Sequence, residues 1–437
     1  MTYCAIIYTQ PHHYPPDPLR IGAHPDLVRQ ETANTPGLAP ESIARSCAVA
    51  QSMMESSQTL MSAQIQFLDT QLALIHIPLR LYPSFLQPIL RLLLPTDAVD
   101  ERPKSRGSGS SLHTNEHPFI NISVTPIECS IALPRQIAET LFIPARDGLC
   151  PSDRDSVTIT KDDYVVMQVD GEGLEAGQRV LELTSPLAMA GISIFFITTY
   201  FSDYILVPLR ARSQVISALE NRGFAFEPHK SSSTSASYSH RQTSSSHDIS
   251  LPGTPPPTTI TELQTRTFAT LKRHHIVPTV DESIKLVQCA GRIDDSTPIN
   301  DRLSLGLVQC LAVGPKFLSL TLTDTEPPSL LLEQRMLPFF EQTSGIGSQS
   351  VLLGSKEDIL IPIILDLRTL PLESTGIVCG VAGRLVGGTK LGLDNAVEMS
   401  YLSTAKSGTV TVAEAELERA LSALRNDCSE NGVVQPN

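Results

Sequence analysis

Three stretches of this 437-residue chain carry residue types that could do chemistry. The first is Glu373-Ser374-Thr375-Gly376-Ile377-Val378, a polar, glycine-containing lead into an apolar run. It reads as the start of a helix. Amide N–H groups at such a start receive a carboxylate well, because the positive end of the helix lies there. Gly376 lets the backbone approach a ligand closely. The second stretch contains Ser193 and Ile194, where an edge strand can supply further backbone groups. A free amino acid brings a carboxylate and an ammonium, and both need partners once desolvated. These two stretches are therefore candidate walls of a small-ligand site, with groups that could satisfy such charges, although Ser193 reads equally as a small inward residue of a strand. The third stretch, Tyr200-Phe201-Ser202-Asp203, presents two aromatics and an acid at a turn. Aromatic anchors suit a partner interface, whereas Asp and Ser also favour hairpin turns. Both readings stay open.

Other constellations fall short of catalysis or metal binding. Gly171-Glu172-Gly173 lacks the third glycine and the spacing of a dinucleotide loop, and Gly387-Gly388 reads as a helix end. His274-His275 has no Cys or acidic residue at metal spacing and reads as a solvated helix or loop end. The eight cysteines are scattered without a C-x-x-C pair, which suits neither a zinc site nor a dense disulfide framework. No Gly-x-Ser-x-Gly nucleophile motif occurs. We therefore expect no enzyme activity, no cofactor and no metal. The net charge of −13 and the absence of tryptophan argue against nucleic-acid binding. The N-terminus lacks the pattern of a signal peptide, so a cytoplasmic, reducing setting is expected. Residues 186–207 include Asp203 and read as a hairpin, while 72–95 carry two arginines and read as a strand and a short buried helix. Neither is expected to span a membrane.

The elements that must position these residues are visible as a repeat. ISIFFITTYFSDYILVP (192–208) matches VEMSYLSTAKSGTVTVA (397–413), with Ile197-Thr198-Thr199 opposite Leu402-Ser403-Thr404. Each copy follows a strand and a helix and leads into an amphipathic helix. That order is most of a ferredoxin-like unit. The expected fold is α+β: tandem βαββαβ units, antiparallel sheets with helices on one face, in two pairs. Residues 1–63 form an irregular extension, with a helix conceivable at 41–63. Unit 1 spans 64–154 with a flexible loop at 98–117, and unit 2 spans 155–228. A Ser/Pro-rich disordered linker covers 229–262, unit 3 spans 263–355, unit 4 spans 356–426, and 427–437 form a tail. Within unit 3, strands are expected around LVQCA, LGLVQCLAV and FLSLTLT, and a helix over 330–342.

The segment Ile197-Thr198-Thr199-Tyr200-Phe201-Ser202-Asp203-Tyr204-Ile205-Leu206-Val207, together with Thr375-Gly376-Ile377-Val378-Cys379-Gly380-Val381-Ala382-Gly383, resembles the signature of the CASTOR family of ACT-domain arginine sensors. The resemblance covers roughly residues 64 to 426 in order. It implies four ACT units in two tandem pairs, an amino acid between the second and fourth, and control of a GATOR/SEA-type complex in TOR nutrient signalling. Carried over by position, it places ligand contacts at the second unit's strand start (Met189, Ala190, Ser193 and Ile194). Further contacts fall on Pro371, Leu372, Glu373, Ser374, Thr375, Gly376, Ile377 and Val378, and on Thr404, Ala405 and Gly408. It places partner contacts at Tyr200, Phe201 and Asp203. Gly408 and Ala405 stand where the family's acid and aromatic hold a guanidinium, so a small or neutral amino acid is expected rather than arginine. Homodimerisation is left open. Two other classes compete: a regulatory ACT module or subunit of an amino-acid-biosynthetic enzyme of the aspartokinase type, and a ligand-free structural adaptor.

Overall fold

The computed structural model describes residues 64–93, 117–170, 176–226, 257–292, 297–341, 350–387 and 396–425, all within the compact unit Met53–Asn437. The extension at 1–63, nearly all of the 98–117 loop, the linker up to 256 and the tail at 427–437 lie outside them.

In chain order the first half holds β1 (Gln64–Phe67), β2 (Leu72–Ile77), α1 (Tyr82–Arg91), β3 (Phe119–Val124), β4 (Cys129–Pro134), a helical run over 135–147 and β5 (Thr158–Ile159). It continues with β6 (Tyr164–Asp170), α2 (Ala176–Met189), β7 (Phe195–Thr198), β8 (Ser202–Pro208), α3 (Arg212–Glu220) and β9 (Ala225–Phe226). The second half holds α4 (Ile260–Arg273), β10 (Thr279–Val280), β11 (Leu286–Gly291), α5 (Thr297–Ala312), β12 (Leu318–Thr323), β13 (Ser329–Glu333), a 3-10 turn at Gln334–Phe340 and β14 (Leu352–Leu353). It ends with β15 (Leu360–Asp366), α6 (Ile377–Gly387), β16 (Ser400–Ser403), β17 (Ser407–Ala413) and α7 (Leu417–Arg425). The fold is α+β, built from four ferredoxin-like repeats whose first strands are β2, β6, β11 and β15.

Within each repeat the strands pair antiparallel, with the third strand in the middle: β2–β4–β3, β6–β8–β7, β11–β13–β12 and β15–β17–β16. The four sheets join edge to edge into one closed ring. Repeat 1 meets repeat 3 through β3 and β12, which pair along their whole length, from Phe119 opposite Thr323 to Val124 opposite Leu318. Repeat 2 meets repeat 4 through β7 and β16, which pair only at Ile197 opposite Leu402. Within each half the joints are single pairs, Leu72 with Tyr164 and Leu286 with Leu360.

Strand alternation explains the two faces. Tyr164 and Val166 of β6 point into the ring with Tyr204 and Leu206 of β8, joined there by Phe119, Phe317 and Leu402. Val165, Met167 and Val169 point outward and are covered by helices. Repeats 2 and 4 share one helix-covered core, and repeats 1 and 3 share the other.

The hydroxyls of the repeated segment have two separate tasks. Thr199 and Thr404 close their hairpins: each accepts from the amide three residues on, and each N–H donates back to that residue's carbonyl. Thr125 with Glu128 does the same in repeat 1, and in repeat 3 Thr323 Oγ1 accepts from the Glu326 amide and donates to its carbonyl. Thr198 and Ser403 instead splice the 2–4 seam. The amide of Tyr401 donates to Thr198 Oγ1 at 3.1 Å, and that of Phe196 donates to Ser403 Oγ at 3.0 Å.

Several expectations change. Residues 305–312 are helical, as part of α5, because Leu303, Leu307, Cys310 and Leu311 are buried at helical spacing while Leu305 faces solvent. Residues 329–333 form a strand and only 334–340 turn helically. The linker's last residues enter a helix: Thr259 caps α4 by accepting from the Glu262 amide at 3.1 Å, and Glu262 reaches back to the Thr258 amide at 2.8 Å. That helix buries Leu263, Thr267 and Leu271, and β10 after it pairs with β15, so this stretch packs with repeat 4 rather than repeat 3. In the same way β1 pairs with β6 of repeat 2 rather than with repeat 1. Met189 closes α2 and is no strand residue, since the strand begins at Phe195.

Candidate functional site

The site lies where the loop after α2 meets the loop before α6. Gly191 has φ of 69°, which turns the chain out of α2 and sends Ile192, Ser193 and Ile194 toward repeat 4. From the other side, Ser374 folds the loop on itself: its amide and hydroxyl both donate to the Pro371 carbonyl, at 3.1 and 2.7 Å. Gly376 has φ of 79°, and a β-carbon there would stand 2.8 Å from Leu263 Cδ1 of α4. Thr267 of the same helix donates to the Gly376 carbonyl at 3.2 Å. Helix α4 thus holds the start of α6 in place.

Two adjoining spaces result, and Ile192 lines both. The inner one holds about 20 Å³, room for about one water. Ile194, Ser374, Gly376, Ile377 and Val378 meet there, together with Thr184, Ala188 and Cys379. The outer one holds about 300 Å³ and is walled by Gly191, Ser193, Arg210, Gln214 and Glu373 among others. The smaller space cannot take an amino acid, whereas the larger is at the lower end of ligand-site volumes.

The charges gather at the outer chamber. Arg210, just after β8, donates to Glu373 Oε1 at 2.5 Å and to Asp162 Oδ2 at 2.6 Å. Its hydrogen bond and charge interaction with Glu373 raise the guanidinium pKa above its ordinary value, so it stays charged. Tyr164, facing the same cluster from inside the ring, has its phenol pushed up to about 12 by burial, with Glu373 adding to the effect. Gln214 donates its amide to the Ala190 carbonyl at 2.8 Å. Burial raises the Cys379 thiol, which lies 3.5 Å from Ser185 Oγ, so it is not poised as a thiolate nucleophile.

Of the sequence-predicted ligand residues, Ser193, Ile194, Glu373, Ser374, Gly376, Ile377 and Val378 come together around these spaces. Met189, Ala190, Pro371, Thr375, Thr404 and Gly408 do not line them. Thr404 closes its hairpin and donates to Glu128 Oε1 at 2.7 Å, which docks that turn onto repeat 1. Gly408 lies under the ring of Tyr401: a β-carbon there would be 2.5 Å from the Tyr401 hydroxyl. Tyr401, not a ligand, explains that glycine.

The expected partner turn needs correction. Asp203 is fully buried, because strand alternation turns it outward beneath α2, where Arg179 Nε donates to it at 3.0 Å. Burial raises its pKa against the lowering effect of Arg179. Tyr200 and Phe201 are each 38% exposed and pack edge to face at 4.9 Å. The turn itself is docked on repeat 3, where the Tyr200 amide donates to Ser329 Oγ at 2.8 Å. Sequence reasoning missed Arg210 and Gln214. No local pattern marked Arg210, because its partner Glu373 lies far along the chain.

Residues 159–221 match the ACT domain family model. That span runs from β5 through α3 and is repeat 2. No curated protein matches the chain. Among solved structures, aspartate kinase from Synechocystis is similar at 12% identity over 82% of this chain and 54% of its own, with a TM-score of 0.27. The ligand-free regulatory subunit of aspartate kinase from Thermus thermophilus is similar at 12% identity over 35% of this chain and 93% of its own, with a TM-score of 0.22. An Agobacterium tumefaciens protein is similar at 16% identity over 38% of this chain and 95% of its own, with a TM-score of 0.23. Among the described residues no group of side chains could hold a metal ion, and no helix is long and apolar enough to cross a membrane.

Proposed function

We propose that this chain is a non-catalytic, cytoplasmic amino-acid sensor of the CASTOR type, which binds a small amino acid between repeats 2 and 4 and controls a GATOR/SEA-type complex in TOR nutrient signalling. The observation that carries this reading is the chamber of about 300 Å³ beside the ACT-matching repeat, at the sparsely paired seam. Ligand bound there touches both repeats and so biases their relative position, which is how a binding event becomes a signal. Arginine is disfavoured, because Gly408 and Ala405 stand at the two positions where the resemblance would call for an acid and a ring to hold a guanidinium. Calorimetry of the whole chain against the twenty amino acids tests the reading. Binding of one small amino acid supports it, and silence toward all twenty refutes it. The output surface we assign is the Tyr200–Phe201 pair, the exposed aromatics among the described residues. Tyr200→Ala with Phe201→Ala should release the TOR-pathway complex from affinity-purified protein without unfolding it, and retention would move the surface elsewhere.

A further inference from the structure

The Arg210–Glu373 pair links repeat 2 to repeat 4 across the wall of the outer chamber. Both side chains are more than half exposed, at 57% and 59%. Exposed ion pairs of this kind contribute little to stability, so this one is open to exchange. Its two charges match those of a free amino acid. We propose that an α-amino acid inserts its head group into this ion pair, the carboxylate taking the place of Glu373 on Arg210 and the ammonium taking the place of Arg210 on Glu373. The inference rests on the amino-acid-binding reading above and names the groups that would perform it.

Charge balance supports a zwitterion over an ion of either sign. Asp162, Arg210 and Glu373 together carry one net negative charge, and a zwitterion leaves that sum unchanged while giving each separated partner a new counter-charge. A simple carboxylate would satisfy Arg210 and strand Glu373, and a simple amine would do the reverse. Gln214 spends its N–H on the Ala190 carbonyl, which leaves its own oxygen as an acceptor for the ammonium. The adjoining inner space of about 20 Å³ then limits the side chain. Thr184, Ala188 and Ile194 leave room there for about a methyl group. The ligand class is a small, neutral α-amino acid such as alanine.

The test uses the full chain, L-alanine, and two analogues that each lack one charge: propionate and L-alaninamide. Titration calorimetry should detect alanine and find both analogues weaker by about tenfold or more. Arg210→Gln should weaken alanine about tenfold and abolish its advantage over alaninamide. Glu373→Gln should do the same for the advantage over propionate, with the thermal midpoint of both variants near that of the parent. Loss of each advantage only with its matching variant supports the proposal. Undiminished alanine binding by both folded variants overturns the head-group assignment while leaving the sensor reading intact. Failure of every amino acid to bind the parent protein overturns both. If a variant loses its folded midpoint, Arg210→Lys decides: it keeps the charge and should retain measurable alanine binding, and its complete loss of binding in a folded protein overturns the assignment.

Discussion

The ring is closed by two seams of like placement and unequal pairing. Between repeats 1 and 3, β3 and β12 pair along their full length, and inside the ring Asn121 ties the strands further, donating to Ser319 at 3.2 Å and to Thr321 at 3.0 Å while Ser123 donates back to it at 2.8 Å. Between repeats 2 and 4 one residue pair is in register, and two hydroxyls, Thr198 and Ser403, take over where backbone partners stop. Each intact backbone ladder is cooperative, so the first seam resists opening as a unit, whereas the second has few backbone bonds and is held chiefly by the helix-covered core that repeats 2 and 4 share. The chamber lies beside the second seam. A ligand at the proposed site would therefore act on the less hydrogen-bonded of the two joints.

The largest way to break this contrast is at the rigid seam. Leu320→Pro removes an amide from a strand paired on both sides, and should cost about 3 kcal/mol or more, seen as loss of the cooperative thermal transition. A smaller effect is expected at Gly408, next to the sparsely paired seam. Gly408→Ala should cost about 1–3 kcal/mol through overpacking against Tyr401, and Tyr401→Phe should recover part of it because the hydroxyl is the first atom met. Repeat 3 supplies a pH test of the rigid half. Burial raises the carboxyl of Glu333, but Arg335 and the amides of Phe317 and Lys316 outweigh it and hold the pKa below the ordinary 4.5. The folded state therefore binds fewer protons than the unfolded one in that range. The contribution is full above the ordinary value and is lost as pH falls through the folded one. Denaturation across pH 3 to 7 should show a shallower acid limb for Glu333→Gln, with a loss of about 1–3 kcal/mol at neutral pH. The smallest effect sharpens the comparison most. Thr198→Val and Ser403→Ala should each cost about 1 kcal/mol. Hydrogen exchange should accelerate at Tyr401 in the first variant and at Phe196 in the second, with β3 and β12 unchanged.

Much of this arrangement was legible in the sequence. Strand–helix–strand–strand–helix order and the offset repeat led to the ferredoxin-like fold, and the glycine ahead of Ile377 marked the helix start. Three features were hidden for physical reasons. Leu305–Val313 is short and apolar, and a run of that kind looks alike as strand or helix until the exposure of Leu305 is known. Asp203 has the composition of a turn residue, but burial on the helix side depends on which way the pleat faces, and a shift of one residue reverses that. The hairpin signature recurs four times, yet repeats 1 and 3 end it in Glu128 and Glu326 where repeats 2 and 4 use Ser202 and Ser407. The glutamates reach across to the neighbouring turns. Glu326 accepts from Ser202 and, at 2.9 Å, from Tyr204, while Glu128 accepts from Thr404 and Lys406. Such long-range partners leave no mark on local spacing. Arg210 was missed for the same reason, since its partner Glu373 lies 163 positions away.

A ring that closes within one polypeptide has a consequence for how a response scales. Where two separate chains must meet to complete a ligand cleft, the fraction competent to respond changes with how much protein the cell makes, because dissociation competes with binding. Here the second and fourth repeats are tethered and seated against each other by the same closed sheet, so their encounter is an intramolecular event. The dose–response midpoint for a ligand at that cleft should then stay constant over a hundredfold dilution of the protein, and depend on the concentration of the ligand alone.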